Sequence, residues 1–258
     1  MKMPDKSKFL EDVGMKNLPF PMRVPSKLNP DGQPTIANIS ISAHIMREFE
    51  AQWIDRFIQI LHQQGKKIGP ETLRGNILGY QNQLGASAVR VEFDYPFFIE
   101  KTTPVSKEKC LVRYLCTYSA KSSTVGGTSI NFKIEIPVIT TYPVSAADKP
   151  GGLFGQLSII TVEMTSEKDI FPEDLVEMVD KYALAPVYSF LTEEDQEYII
   201  EKVHSEEKTS IELVADIKKE LAYKKDISWY SVNCANYGML HSYSTAIGIE
   251  KSPWIPST

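Results

Sequence analysis

The chain has few of the residues that build metal or disulfide frameworks. Its three cysteines, Cys110, Cys116 and Cys234, form neither a zinc-ligand spacing nor an even-numbered set, so they are expected to be reduced thiols. No apolar run approaches the ~20 residues of a membrane span, and the opening Met1-Lys2-Met3-Pro4-Asp5-Lys6 leads into no apolar signal core. A cytoplasmic protein that does not engage a membrane is the default expectation. Cationic excess is missing too: 28 Lys and Arg against 33 Asp and Glu give a net charge of −5. That balance argues against a broad nucleic-acid footprint, although a local anion site remains compatible with it. What is present is 258 residues, 42% hydrophobic and 24% charged, enough for one large globular domain or two modules.

Prolines 4, 19, 21, 25, 30 and 34 predict an irregular arm over residues 1–35. A first strand is expected over residues 36–43. Phe49, Trp53, Phe57, Ile60 and Leu61 then recur at helical spacing. A second helix is expected from Pro70, a favoured first helical residue, to a cap at Gly85, burying Leu73, Ile77, Tyr80 and Leu84. Strand alternation follows around residues 89–94, 110–118 and 130–138, the last being the cleanest two-residue period in the chain. Gly126-Gly127 marks a hairpin. The second half repeats the plan, with a strand at 158–164, helices at 172–191, 192–204 and 210–222, and strands at 227–235 and 240–249. Thr192 and Asp195 have the spacing of a helix cap. An α+β fold follows, an antiparallel sheet with helices on one face.

Thr140-Thr141-Tyr142-Pro143-Val144-Ser145 and Gly152-Leu153-Phe154-Gly155-Gln156-Leu157 resemble the Thr-Leu-Cys-Pro-Cys-Ser and Gly-Ala-His-Asn-Gln-Arg pair of the type IB GTP cyclohydrolases. His44-Ile45-Met46-Arg47 is similar to that family's His-Met-Ser-Arg. Val187-Tyr188-Ser189-Phe190-Leu191 with Asp195-Gln196-Glu197-Tyr198 resembles its Val-Tyr-x-Leu-Leu-Lys-Arg-x-Asp-Glu-Lys-Tyr. Asn236 to Tyr243 resembles its Asn-Phe-Glu-Ser-Ile-His-Asn-His. The resemblance implies tandem tunnelling-fold modules, here 36–150 and 151–258, whose sheets assemble into a barrel in a homo-oligomer, most simply a tetramer. It also implies zinc-dependent chemistry. Tyr142 and Phe154, however, stand where that family has a cysteine and a histidine, and Gly238 and Tyr243 where it has a glutamate and a second histidine. A phenol and a benzene ring are not normal zinc ligands, so no metal and no cofactor is expected.

The candidate site residues follow from the same alignment. His44 and Arg47, expected just after a strand where a helix begins, would sit near substrate, with the arginine on a phosphate; an ion pair with Glu48 or Glu50 is the plainer reading. Tyr142 and Phe154 either fill the volume of a lost metal site or stack on a planar ring. Gln156 is a polar contact, while Leu157 removes the family's arginine. Gln196 stands where the family has a ring-anchoring glutamate, with Asp195 and Glu197 as neighbours in that role; solvated residues at an acidic helix start are the alternative. Thr192 and Glu193 replace a Lys-Arg pair, lowering charge complementarity for a triphosphate. His241, Tyr142 and Glu197 are candidate proton carriers. Three functions remain: a metal-independent enzyme acting on a purine- or pterin-like heterocycle, a non-catalytic ligand-binding or regulatory homologue, or a GTP cyclohydrolase with a relocated metal site.

Overall fold

In the computed structural model of the chain, the described residues are 10–46, 53–63, 70–166 and 168–251. Among these residues, nine strands and five helices follow one another as β1 (Leu10–Val24), β2 (Gln33–Met46), α1 (Trp53–Gln63), α2 (Pro70–Leu84), β3 (Ala88–Thr102), β4 (Lys109–Ser123), β5 (Gly127–Thr141), β6 (Gly155–Ser166), α3 (Pro172–Tyr182), β7 (Ala185–Pro186), α4 (Glu193–Ser205), α5 (Ser210–Tyr223), β8 (Ile227–Tyr237) and β9 (Thr245–Glu250). The strands form one antiparallel sheet in the order β1-β2-β3-β4-β5-β6-β8-β9, with the two-residue β7 beside β5. No helix among the described residues is long and apolar enough to cross a membrane.

The backbone packs as two compact units interleaved along the chain. One comprises the described residues within 1–96, 117–132 and 165–170, the other those within 97–116, 133–164 and 171–258. In the first, Phe57 of α1 meets Tyr80 of α2 edge-on at 5.7 Å, and Leu73, Ile77 and Leu84 are buried as the periodicity requires. Gln81 ties α2 to its surroundings, accepting from the Ser122 hydroxyl at 2.6 Å and donating to the Ser87 carbonyl at 3.1 Å. The β4–β5 hairpin turns at Gly127, whose φ of +71° favours glycine. In the second unit, α5 buries Leu213, Val214, Ile217 and Leu221 and packs on α3 and β8. Lys101 and Asp180 pair there at 2.6 Å; burial raises the Asp180 carboxyl, and the lysine opposes that shift. Cys110 and Cys116 are both buried, in keeping with one face of β4.

Several expectations need correction. Residues 10–24 are not irregular: they form β1, an edge strand paired with β2 from Leu10↔Met46 to Val24↔Gln33 with one bulge. Prolines two residues apart remove N–H groups from one side of a strand, which an edge position tolerates. His44 lies within β2, opposite Asp12 and Ala88, rather than at a strand-to-helix junction. The helix expected over 172–191 ends at Tyr182 because Ala183 is extended (φ −69°, ψ 157°), and Pro186, which has no N–H, takes a place in β7. The last strand begins at Thr245, five residues later than its pattern suggests. Phe49 lies outside the described residues.

Leu213→Ala removes a side chain that is 0% exposed and is expected to cost about 2–5 kcal/mol in urea unfolding. Two residues away, Ile211 is 64% exposed, and its alanine variant should stay within about 0.5 kcal/mol of the parent. Equal effects from the two substitutions would contradict the assigned inner face of α5.

Candidate functional site

β5 ends at Thr141, and the segment that follows is tied down at both ends. The Tyr142 N–H donates to the Phe154 carbonyl at 2.9 Å, and the Ser145 hydroxyl donates to the Tyr142 carbonyl at 2.8 Å. Thr141 and Lys208 exchange two bonds: the threonine N–H reaches the lysine carbonyl at 2.8 Å, and the lysine N–H reaches the threonine Oγ1 at 2.7 Å. This frame places the Tyr142 and Phe154 rings in a stack with centroids 4.9 Å apart and planes 21° from parallel. Gly238 completes the fit, since a Cβ there would lie only 2.7 Å from Cε2 of Tyr142.

Beside the stack is a cavity of about 150 Å³, with Tyr142, Gln156, Asn236, Gly238, His241 and Tyr243 among its lining residues. His241 and Tyr243 form a second stack, 4.8 Å between centroids at 21°. The structure therefore brings together Tyr142, Phe154, Gln156 and His241, which the sequence offered as separate fragments. Asn236, Ser158 and Thr140, not singled out by sequence, form the polar floor: Ser158 donates to Asn236 Oδ1 at 2.8 Å and meets the Thr140 hydroxyl at 2.7 Å. Asn236 and Thr140 carried a signal only as the first residues of their resembling fragments, and Ser158 carried none.

The remaining candidates lie elsewhere. Asp195 is buried, with its carboxylate engaged by the N–H groups of Val105 and Ser106 at 2.8 and 3.0 Å, the Ser106 hydroxyl at 2.6 Å, and the N–H and hydroxyl of Thr192 at 3.1 and 2.8 Å. Thr192 and Asp195 form the expected capping box of α4. Burial alone would raise this carboxyl, but the bonds from Ser106, Val105 and Thr192 outweigh it and hold the group well below the usual carboxylate range. Gln196 and Glu197 are exposed on α4, and Gln196 Nε2 donates to the Leu191 carbonyl at 3.4 Å. His44 faces Asp12, Nδ1 to Oδ1 2.8 Å, and lines a cavity of about 600 Å³ with Arg90, Lys121 and Ser42. Arg47, Glu48 and Glu50 lie outside the described residues.

A family model described as type I GTP cyclohydrolase FolE2 matches residues 2–246. The chain is 32% identical over 240 residues to the GTP cyclohydrolase FolE2 of Geobacter sp. (strain M21), covering 93% of this chain and 89% of that protein. It is 31% identical over 240 residues, with the same coverage, to the protein of that name from Citrifermentans bemidjiense. Among solved structures, urate oxidase from Bacillus sp. TB-90 superposes with a TM-score of 0.56 at 9% identity, covering 94% of this chain and all of that one. The uricase of Arthrobacter globiformis gives 0.52 at 9% identity over 96% of each chain. The likeness fixes the fold, the α+β tunnelling fold in tandem modules.

Two substitutions test this geometry. Gly238→Ala should displace the Tyr142 ring and lower stability, and the loss should largely vanish in a Tyr142→Ala background, where nothing occupies the space. Additive losses would mean that the two positions are not in contact. Asp195→Asn should lower the urea midpoint at neutral pH. Because the folded carboxyl is depressed, its contribution is complete above the unfolded value of about 3.9 and fades as pH falls below it. The gap between parent and variant should therefore narrow below about pH 4; a pH-independent gap would contradict the assignment.

Proposed function

The chain belongs to the type I GTP cyclohydrolase FolE2 family, and on that premise we propose that it is a divergent member acting on a purine- or pterin-like ring without the zinc that the resemblance implies. The observation that carries this reading is the Tyr142–Phe154 stack set against Gly238. Zinc is held by thiolate, imidazole or carboxylate donors, usually four of them. Around the pocket stand one imidazole, two carboxamides and two phenols, with neither a thiolate nor a carboxylate among the lining residues. Among the described residues, no three His, Cys, Asp or Glu side chains come together. Such a donor set does not fit zinc.

It does suit a flat heterocycle. Aromatic rings offer stacking faces, Gln156 and Asn236 offer polar contacts, and the cavity of about 150 Å³ falls below the roughly 300–1,000 Å³ of a site for a drug-sized ligand. The ring enters and the rest of the ligand stays outside. His241 and the Tyr142 hydroxyl are the groups able to carry a proton to or from it. Within the other compact unit, His44 shares a cavity with Arg90 and Lys121, a separate candidate anion site to which the resemblance adds Arg47. Asp195 supports the site indirectly through the α4 cap, while Gln196 and Glu197 stand exposed on the same helix. β1 and β9 end the sheet, and unpaired edges favour assembly of the 36–150 and 151–258 modules into a homo-oligomer, a tetramer in the simplest case.

A second reading, a ring-binding homologue without catalysis, draws on the absence of a carboxylate from the lining residues. Absorbance assays with GTP and a panel of purines and pterins, with and without chelator, separate the two. The expected result is conversion that chelator leaves unchanged and that falls at least about tenfold in His241→Ala. Binding without turnover would favour the second reading, and activity lost on chelation would overturn the metal-free one. Light scattering should give a multiple of the chain mass; a monomer at micromolar concentration would contradict the assembly.

A further inference from the structure

The polar floor of the small cavity has a direction that follows from counting protons. Ser158 gives its one hydroxyl proton to Asn236 Oδ1 at 2.8 Å. It therefore cannot donate to Thr140, and the 2.7 Å contact between their hydroxyls must run from Thr140 to Ser158. Thr140, its proton spent, can only accept at Oγ1. Gln156 has two neighbours on its inner side, that Oγ1 at 3.4 Å and the Thr141 carbonyl at 3.5 Å, and both are acceptors. The inner group of the carboxamide must be the NH₂, and Oε1 is turned away from them. The far end of the chain has the same polarity. Asn236 Oδ1 also accepts from Cys234 Sγ at 3.2 Å, while Nδ2 donates to Ser210 Oγ at 3.1 Å. Burial pushes the Cys234 thiol up to about 11, keeping it a donor.

We propose that Gln156 determines which ring this pocket accepts, presenting Oε1 as an acceptor fixed by the Thr140–Ser158–Asn236 chain, and that the ligand is a bicyclic heterocycle offering a ring N–H to it. The inference rests on the ring-binding function proposed above. Gln156 lines the cavity, and among the described residues Oε1 has no protein partner. A ring nitrogen bearing a lone pair or a methyl group would leave that acceptor unmatched, which a desolvated site discriminates against. A buried chain of aligned hydroxyls resists reversal because each bond polarises the next.

The test is calorimetric titration of the purified protein with xanthine and its 1-, 3- and 7-methyl derivatives, repeated for Gln156→Leu, Ser158→Ala and Tyr142→Ala. In the parent protein, one of the three methylations should cost roughly tenfold or more in affinity, the others much less. Gln156→Leu should erase that difference. Ser158→Ala frees the Thr140 proton to meet Gln156 Oε1, allows the carboxamide to turn, and should shrink the difference several-fold with the melting temperature monitored alongside. A merely structural serine would change stability and leave the ratio alone. If the rings bind, Tyr142→Ala weakens them and Gln156→Leu keeps the full methyl discrimination, the assignment of Gln156 is wrong while the pocket stands. If the parent protein binds none of the four rings, the ring-binding function fails and this inference fails with it.

Discussion

Everything at the candidate site depends on two aromatic rings, Tyr142 and Phe154, lying face to face. The Tyr142–Phe154 stack needs three things at once: the backbone bond joining its residues, the turn closed by Ser145, and the missing side chain at position 238. A glutamate at 238 would collide with the tyrosine ring, and a cysteine at 142 would leave that space empty. Tyr142 and Gly238 are thus linked by sterics. A change at one position alone would leave either an overlap or a void, each destabilising in a packed interior.

On the proposed function, this steric link bears on what the pocket can recognise. A metal centre organises a substrate through directed coordinate bonds, whereas a ring stack supplies broad apolar faces and little orientation of its own. Orientation must then come from hydrogen bonds, and the floor of the cavity provides a rigid set of them. The hydroxyls of Thr140 and Ser158 and the amide of Asn236 are nearly or fully buried, and each is satisfied by the next. Asp195 plays a different part: its oxygens are taken up by the 105–106 backbone and the α4 cap, so it stiffens the scaffold.

Local patterns carried most of the fold in the sequence. The alternation from Ile130 to Val138, the Pro70 start and Gly85 cap of α2, and the Thr192–Asp195 box all appear where residue spacing places them, because each depends on neighbours within a few positions. β1 was illegible because prolines 19 and 21 argue against a strand unless it lies at an edge, and edge status is a property of the whole sheet. The helix expected over 172–191 ran through Pro186, which lies in β7. At the site, family resemblance located Tyr142, Phe154, Gln156 and His241. The Thr140–Ser158 pairing depends on how β5 and β6 lie side by side, which no spacing within one strand encodes. Asp195 was read both as a cap and as a ligand anchor, and its hydrogen bonds show the cap.

The central claim is that an aromatic pair has replaced a metal centre with a ring-binding surface. Elemental analysis of the protein as purified, after growth with ample zinc and exchange into metal-free buffer, tests it most directly. The account predicts far less than one zinc per chain, together with a folded, assembled protein that chelator does not destabilise. One tightly held zinc per chain, removed only with loss of stability or activity, would contradict it and show that the family's metal chemistry persists on other ligands.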